Sequence, residues 1–515
     1  MRFLLCFSFL AVSTIPDLAL ARDLSPCVSG QAQCVPAEGF ESFVTEQLEA
    51  MKVPGIAVGI VRHGQLIYAR GFGYRDVDAK LPVTPETLFA IGSTTKAFTA
   101  TVAGLALKDH GLRFNQPVIE YVPEFRLKSD TATLQATMID LLTHRTGVPR
   151  HDLVWYGFDE FPREYFFKRL RYLEPSAGFR EVWQYNNFMY MAAGYIVEQL
   201  TEQTWEDYVR ERLLRPLGMN DTNFSVEASK QARDFARPYG RRGDAAPVEI
   251  PFRPIVGMGP AGSINSNVRD LAKWVQLNLG GGKWSGQQLV PADIMGALHA
   301  PQVAIPQKMM LPFPEFSFPS YALGWIRQHY RGHDWIWHNG GIDGFMAHVG
   351  FLPDDDIGII VLQNATYADA MTRVALRAMD ETLGLAPIDW GARMAELEKK
   401  EKETGEEKGQ EPVAESTAPP QPLDDYVGRY VHPAYGDVNI VASAQELRGR
   451  FHNFEFQLQP LINGTFRLKS DALAEFGEAI APAYFQIDSQ GRIHELLINL
   501  EPTVDAIRFV KEAAP

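Results

Sequence analysis

Apolar, strand-like segments at both ends of the first 390 residues are the feature that most constrains the fold. Near the N-terminus, residues 56–61 and 66–72 are apolar runs separated by Arg62-His63-Gly64-Gln65, a pattern that predicts a β-hairpin. The same pattern returns in residues 335–338, 345–351 and 357–362, with the turn sequence Pro353-Asp354-Asp355-Asp356 between the last two. Because short strands must pair to bury an apolar face, both ends are expected to form one antiparallel sheet.

Helical patterns and loops rich in Pro and Gly dominate the stretch between these ends, at roughly residues 95–330. An amphipathic helix is predicted before the first strand, and residues 372–383 also read as a helix. The apolar face of the first helix consists of Phe40, Phe43, Val44, Leu48 and Met51. The sequence therefore predicts an α+β fold, with an antiparallel sheet flanked by helices and a helical subdomain beside it.

The composition changes sharply at residues 394–423, where Glu, Lys, Gly, Pro, Ser and Thr dominate and aromatic residues vanish. We expect a charged helix to about residue 408 and a flexible linker after it. Residues 424–512 then show short runs rich in Val, Phe, Leu and Tyr, with the hairpin signal Asn463-Gly464. This tail predicts a second, small all-β domain, a barrel or a sandwich, after a first domain at residues 36–390.

The first 21 residues have the form of a signal peptide. Arg2 precedes an apolar stretch at residues 3–12, and Ala19-Leu20-Ala21 matches the small-x-small pattern of a cleavage site after Ala21. A membrane anchor is the alternative, but Pro16-Asp17 interrupts the short apolar run. We therefore expect a periplasmic or secreted protein, in which Cys27 and Cys34 are compatible with a disulfide.

Charge and composition exclude several kinds of partner. The formal net charge is −14 without a long basic run, which argues against nucleic acid as a partner. Beyond the N-terminal segment, the sequence has no run of about 18 apolar residues that would span a membrane. No metal site is expected from the cysteines, which lack His or Cys neighbours at metal-binding spacing.

Ser93 and Lys96 are the first candidate for catalytic chemistry. Residues 89–96 read Phe-Ala-Ile-Gly-Ser-Thr-Thr-Lys, an apolar strand-like stretch and a glycine before a helix. Residues three apart lie on one helical face, so a serine nucleophile could contact its base, and the helix N-terminus favours an alkoxide and a neutral lysine. The spacing alone is also compatible with a capping serine followed by a solvated lysine.

Two further groups of residues support a catalytic interpretation. Tyr185 and Asn187 lie just before an apolar helix, where the tyrosine could share the serine proton and the amide could hold a substrate carbonyl. His338 stands on a predicted strand that ends in Gly340 and Gly341, which would let a substrate backbone approach the strand edge. The alternatives are a core-packed Tyr185 and a hydrogen-bonded surface His338.

Ser93-x-x-Lys96, Tyr185-x-Asn187 and His338-x-Gly340 resemble, in order and spacing, the three motifs of the penicillin-recognising serine hydrolases. This superfamily includes class C β-lactamases, DD-peptidases, D-amino-acid-specific peptidases and esterases. The resemblance covers about residues 36–390, with supporting stretches at 141–147, 260–264 and 340–345. The tail resembles the small, often lipocalin-like barrel that follows this domain in some peptidases.

The resemblance implies a mechanism without metal or organic cofactor. Ser93 would attack a carbonyl and form an acyl-enzyme, while Lys96 and Tyr185 share the proton transfers. Asn187 would position the substrate amide. His338 stands where many relatives carry lysine, so it would stabilise negative charge less strongly and in a pH-dependent way. The amides of Ser93 and Gly341 would form the oxyanion hole.

The resemblance favours a peptidase or amidase that acts on a small peptide-like substrate. A carboxylesterase or a weak β-lactamase is the first alternative, and a non-catalytic penicillin-binding protein is the second. The first proton acceptor, Lys96 or Tyr185, stays open because a coupled pair titrates together. A homo-oligomer is possible, and the tail could either wall the active site or serve as an assembly surface.

Two minor features also have alternative interpretations. Arg145, Arg150, His151 and Asp152 share one loop, which could line the cleft or act as a hydrogen-bonded brace. The aromatic stretch at residues 155–167 could form a lid over the cleft or pack against the core.

Overall fold

Residues 39–156, 161–241, 245–406, 414, 416, 418–443, 446–470 and 483–513 are described by a computed structural model. The predicted signal peptide, Cys27 and Cys34 lie outside these residues, as do residues 407–413, 415 and 417 of the predicted charged helix and linker. Within the described part of the chain, no helix is long and apolar enough to cross a membrane.

The strands fall into a large sheet, a barrel and three short two-stranded ladders. In chain order they are β1 Gly55–Arg62, β2 Gln65–Asp76, β3 Leu81–Pro82, β4 Phe89–Ala90, β5 Tyr239–Gly240, β6 Val248–Glu249, β7 Asn265–Ser266, β8 Lys283–Trp284, β9 Gln287–Gln288, β10 Val303–Ala304, β11 Phe316–Tyr321, β12 Ile326–Tyr330, β13 His333–Ile342, β14 Phe345–Leu352, β15 Ile357–Gln363, β16 Gly428–His432, β17 Gly436–Ser443, β18 Glu446–Phe451, β19 Phe454–Pro460, β20 Phe466–Lys469, β21 Ala483–Ile487, β22 Ile493–Ile498 and β23 Ile507–Lys511.

The helices pack on both faces of the large sheet, on one another or, in the case of the last one, on barrel strands. They are α1 Phe40–Met51, α2 Thr95–Asp109, α3 Asp130–Gln135, α4 Met138–Leu142, α5 Arg163–Phe167, α6 Phe188–Thr201, α7 Trp205–Val209, α8 Arg215–Leu217, α9 Val226–Gln231, α10 Gly259–Gly262, α11 Val268–Leu279, α12 Ala292–His299, α13 Ala370–Leu383, α14 Trp390–Glu406 and α15 Leu423–Tyr426.

The large sheet joins the two ends of the first domain, as the sequence predicts. Its nine strands run in the order β10-β11-β12-β13-β14-β15-β1-β2-β3. The N-terminal β1 pairs antiparallel with the C-terminal β15, with Ile56 opposite Gln363 and Arg62 opposite Ile357. The antiparallel sheet flanked by helices confirms the predicted α+β fold.

Alternating side chains of the central strands serve two hydrophobic cores. Ala57, Ile360 and Leu362 pack in the core that contains α2 and α11, whereas Ile56 and Val361 pack in the core that contains α1 and α13. Because helices cover both faces, β15 is buried along its whole length, which explains its unbroken apolar sequence.

Strands β11 and β12 lie near the end of the stretch at roughly residues 95–330, where helical patterns and loops rich in Pro and Gly were expected to dominate. These two strands extend the sheet beyond β13 instead. Pro319 lies inside β11, where the register between β11 and β12 shifts between Ser317 and Ser320. Proline lacks an amide donor and is tolerated at such irregularities, so a strand formed where the sequence signals a breaker.

The tail forms the predicted barrel. Strands β16 to β23 close into an eight-stranded barrel, whose ends meet where Val431 pairs with Val510. The hairpin signal at Asn463-Gly464 lies between the paired strands β19 and β20, and Gly464 has the positive φ of 78° that favours glycine. The charged stretch before the barrel is helical as α14.

Candidate active site

Ser93 lies on a 3₁₀ turn, Gly92–Thr94, which leads directly into α2. The turn is held on both sides. Strand β4 before it pairs with β7, and α2 after it is buried along residues 95–107. The side chain of Ser93 is partly accessible at the start of this buried helix, so its hydroxyl is presented from a rigid support.

The amine of Lys96 reaches back over one turn to Ser93. Its Nζ lies 2.9 Å from Ser93 Oγ, 2.8 Å from Asn187 Oδ1 and 2.8 Å from the carbonyl oxygen of Ala261. The carbonyl and amide oxygens can only accept hydrogen bonds, so two N–H groups point at them. A neutral amine would then direct its lone pair at the hydroxyl of Ser93.

Asp152 fixes the orientation of Asn187. The amide Nδ2 of Asn187 donates to Asp152 Oδ1 over 3.0 Å, and a carboxylate accepts but does not donate. The amide oxygen of Asn187 must therefore face Lys96. Asp152 in turn receives Arg150 Nε at 2.6 Å and Trp155 Nε1 at 2.9 Å.

Burial favours the neutral form of Lys96. The side chain is fully buried, and this desolvation, together with the nearby Arg150 guanidinium, holds the pKa of Lys96 well below its ordinary value, while Asp152 partly opposes the shift. A desolvated ammonium loses hydration that its neighbours must replace. The site thus favours the neutral amine over the ammonium.

Tyr185 packs beside both groups. The Nζ of Lys96 lies 4.9 Å from the centroid of the Tyr185 ring, and the nearby Ser93 side chain acts to lower the pKa of Tyr185 against the larger effect of burial. Burial raises the pKa of Tyr185 above its ordinary value, so the phenol keeps its proton at neutral pH. His144, whose ring centroid lies 4.3 Å from that of Tyr185, belongs to the same aromatic group around Lys96.

His338 is buried, and its ring nitrogens have defined partners. Nδ1 lies 2.5 Å from the carbonyl oxygen of Asn339, and Nε2 lies 2.9 Å from the hydroxyl of Tyr321. The carbonyl can only accept, so Nδ1 donates and Nε2 accepts from the tyrosine. Burial, with a smaller contribution from Lys96, lowers the pKa of His338 to about 3. The expected pH-dependent charge is therefore absent near neutrality.

Gly340 and Gly341 have different surroundings. A Cβ at Gly340 would lie 1.9 Å from the carbonyl oxygen of Ile91 and 2.8 Å from the amide nitrogen of Ser93. The Ser93 turn thus packs directly on the backbone of β13, which accounts for glycine at position 340. A Cβ at Gly341 would meet nothing closer than 3.9 Å, and Gly341 borders the cavity beside Ser93.

Two cavities meet at Ser93. The larger, of about 1100 Å³, is lined by Ser93, Asp152, Asn187 and Gly341 together with apolar side chains such as Ile255. The second, of about 650 Å³, contains the side of the site with Tyr185 and His338 and several tryptophan rings: Trp183, Trp335 and Trp337. Ser93 therefore borders open space on two sides of the site.

The loop at residues 145–152 serves both functions considered from the sequence. Arg150 and Asp152 line the large cavity, whereas Arg145 braces the loop through an ion pair with Asp140 at 2.6 Å. His151 contacts the barrel. Within the aromatic stretch at residues 155–167, which includes undescribed positions, Trp155 and Tyr156 line the cavity and Phe166 and Phe167 are buried in the core.

Three buried residues that contact the site were not identified from the sequence. Tyr321 contacts His338, the carbonyl of Ala261 receives Lys96, and Asp343 accepts a hydrogen bond from Tyr156 at 2.7 Å. Ala261 and Asp343 lie in the stretches that support the family resemblance, which was the available signal. In the described part of the chain, no group of three or more His, Cys, Asp and Glu is arranged to hold a metal ion.

Comparisons with known proteins place most of the chain in a known family. A family model described as Beta-lactamase matches residues 40–384, and a model described as Domain of unknown function (DUF3471) matches residues 413–511. The unguisins hydrolase ungD′ of Aspergillus campestris (strain IBT 28561) is 34% identical over 427 residues, which cover 78% of this chain and 77% of the relative.

Solved structures share the fold. The octameric penicillin-binding protein homologue from Pyrococcus abyssi aligns with a TM-score of 0.59 at 24% identity, over 92% of this chain and 99% of that one. A class C β-lactamase from Rhodobacter sphaeroides aligns with a TM-score of 0.53 at 21% identity, over 68% and 99%. The family model that matches residues 40–384 and the 34% identity to the relative from Aspergillus campestris show that the chain belongs to the Beta-lactamase family of serine hydrolases.

Proposed function

We propose that this serine hydrolase is exported and cleaves peptide-like amide bonds through an acyl-enzyme on Ser93. The observation that carries the proposal is the hydrogen-bonding of Lys96, whose Nζ lies 2.9 Å from Ser93 Oγ while two oxygen acceptors take its other contacts. The sequence of residues 1–21 supports export, with cleavage after Ala21.

In the proposed first step, Ser93 Oγ attacks the substrate carbonyl and its proton passes to Lys96. The lowered pKa of Lys96 supports this lysine as the base, since a neutral amine can take the proton as the new bond forms. The raised pKa of Tyr185 supports this tyrosine as the general acid. Tyr185 would donate its hydroxyl proton to the leaving amine, and the protonated Lys96 would return the proton taken from Ser93 to Tyr185.

The negative charge that develops on the carbonyl oxygen would be stabilised by the amides of Ser93 and Gly341. The close packing of the Ser93 turn on β13 supports this pair of donors, since it holds the two backbone segments against each other. Fixed donors of this kind typically contribute about 10²–10³ in rate. Water would then attack the acyl-enzyme and release the acid.

Asn187 and His338 would act mainly through position. Asn187 already contacts Lys96 and Asp152, so we propose that it orients the lysine and offers its cavity-facing edge to a substrate amide. A neutral His338 supplies no positive charge for the carboxylate of a β-lactam. This supports peptide-like or ester substrates over efficient β-lactam hydrolysis.

A substrate panel tests the proposed reaction. The panel should compare kcat/KM for D- and L-aminoacyl amides, p-nitrophenyl esters and a chromogenic cephalosporin. It should also include unguisins, because the relative from Aspergillus campestris is named an unguisins hydrolase. We expect amide hydrolysis that Ser93→Ala abolishes. A kcat/KM for esters far above every amide would favour the esterase, and a stoichiometric burst without turnover would favour the non-catalytic alternative.

The homo-oligomer stays a prediction, which light scattering tests.

A further inference from the structure

The segment at residues 150–156, here called the bridging loop, connects the active site with the barrel. Arg150 and Asp152 line the cavity beside Ser93, while His151 between them contacts residues of the barrel. His151 has a positive φ of 46°, an uncommon conformation for a residue other than glycine. Adjacent side chains of one short loop thus point to two different domains.

His151 is held by two barrel residues. Its backbone amide donates to Glu501 Oε2 over 2.8 Å, and its Nδ1 lies 2.6 Å from the hydroxyl of Tyr435. The other ring nitrogen, Nε2, lies 2.8 Å from the carbonyl oxygen of Glu174 and must donate to it. In the neutral ring, Nδ1 therefore accepts from Tyr435. His151 and Tyr435 are both buried, so water competes little for these bonds.

The next residue, Asp152, continues this chain of contacts into the catalytic group. Asp152 Oδ1 accepts from Asn187, and Asn187 accepts from Lys96. A hydrogen-bonded path thus runs from the barrel through the backbone between His151 and Asp152 to the proposed base. Displacing His151 would move Asp152 with it, because the two residues share a peptide bond of fixed geometry.

The far end of the bridging loop also touches the barrel. The ring of Tyr156 stacks on that of Phe454 with centroids 6.3 Å apart and an interplanar angle of 7°. The hydroxyl of Tyr156 donates to Asp343 over 2.7 Å at the wall of the large cavity. The barrel therefore contacts the loop on both sides of Asp152.

We propose that Tyr435 and Glu501 of the barrel are positioning residues for catalysis, which hold the bridging loop so that Asp152 keeps Asn187 and Lys96 aligned. The barrel is then a working part of the active site and not an independent appendage. The inference rests on Ser93 as the nucleophile, which belongs to the proposed function. By holding the bridging loop, the barrel would set the rate at which Ser93 is acylated, whichever substrate the cavities accept.

Labelling of Ser93 by a small fluorophosphonate tests this without knowledge of the substrate. Tyr435→Phe removes only the hydroxyl that bonds His151 and should slow labelling about five- to tenfold, the effect of one buried hydrogen bond. Tyr430→Phe is the matched control, since the buried Tyr430 hydroxyl donates to the carbonyl of Tyr426 within the barrel. We expect similar thermal unfolding in both variants and wild-type labelling only in Tyr430→Phe.

A double-variant cycle separates positioning from general loosening of the barrel. In an Asp152→Asn background the path from the barrel to Asn187 is already impaired, so adding Tyr435→Phe should slow labelling by less than about twofold. Glu501 provides an independent check. Glu501→Gln keeps an acceptor oxygen for the amide of His151 and should label faster than Glu501→Ala.

The outcomes distinguish this inference from the proposed function. If the probe labels the protein but Tyr435→Phe and Tyr430→Phe react at the same rate, the positioning role is wrong. Equal slowing by Tyr435→Phe in the Asp152→Asn and wild-type backgrounds would also overturn it, because the effect would bypass Asp152. If the wild-type protein shows no label on Ser93, the proposed nucleophile itself fails.

Discussion

Replacing Gly340 with alanine adds one methyl group at the point where β13 supports the turn that carries Ser93, the proposed nucleophile. The new Cβ would lie 1.9 Å from the carbonyl oxygen of Ile91 and 2.8 Å from the amide nitrogen of Ser93. Ordinary carbon–oxygen contacts are about 3.3 Å or longer, so the strand and the Ser93 turn must separate by roughly 1.4 Å. The obstructing atoms belong to the backbone and cannot rotate away.

This displacement determines how much stability and how much reaction rate the variant should lose. Inserting a methyl group into a packed region typically costs about 1–3 kcal/mol of unfolding free energy. A misplacement of about 1 Å can reduce the rate of an oriented reaction about 10²-fold. Gly340→Ala should therefore lower the stability moderately and slow fluorophosphonate labelling of Ser93 by about 10² or more, measured on protein that is still folded.

Gly341→Ala is the matched control for stability. Its Cβ would meet nothing closer than 3.9 Å, so the unfolding free energy measured in urea should change by less than about 0.5 kcal/mol. The two variants differ by one position and carry the same chemical change. If Gly340→Ala were as stable as Gly341→Ala and labelled at the wild-type rate, the proposed contact between the strand and the nucleophile turn would be refuted.

Three further predictions concern the proton transfers. Tyr185→Phe keeps the ring but removes the acid and should lower kcat by about 10²–10⁴ with little change in thermal unfolding; retained turnover would exclude Tyr185 as the acid. Labelling should rise with pH as Lys96 loses its proton, at a midpoint well below the ordinary lysine pKa. Arg150→Gln removes a cation that lowers the pKa of Lys96, so the midpoint of labelling should move to higher pH. A move to lower pH would contradict Lys96 as the base. His338 has a pKa of about 3, so His338→Asn should leave the shape of the labelling profile between pH 5 and 8 unchanged, and loss of an inflection there would show a charged histidine.

Much of the fold could be predicted because local patterns agree with the final packing. The apolar run that becomes β15 is buried on both faces, so its sequence carries a strong strand signal. Strand β11 was missed because Pro319 and a register shift interrupt it. Its position depends on pairing with β12, which no single stretch of sequence specifies.

The site was predictable in its residue types but not in its connections. Ser93 and Lys96 are three residues apart on one helical turn, so their contact follows from local geometry. Asp152 and Asn187 are separated by 35 positions, and their contact depends on the packing of the bridging loop against α6. The neutral state of His338 likewise depends on burial beside Tyr321, which periodicity alone does not reveal.

The most direct test of the central claim is the site at which a fluorophosphonate attaches to the protein. Intact-mass measurement and peptide mapping of the labelled wild-type protein should show one adduct, on Ser93. Ser93→Ala should give none, and Lys96→Met should be labelled at a rate lower by about 10² or more. An adduct on another residue, or undiminished labelling of Ser93→Ala, would contradict a serine nucleophile activated by Lys96.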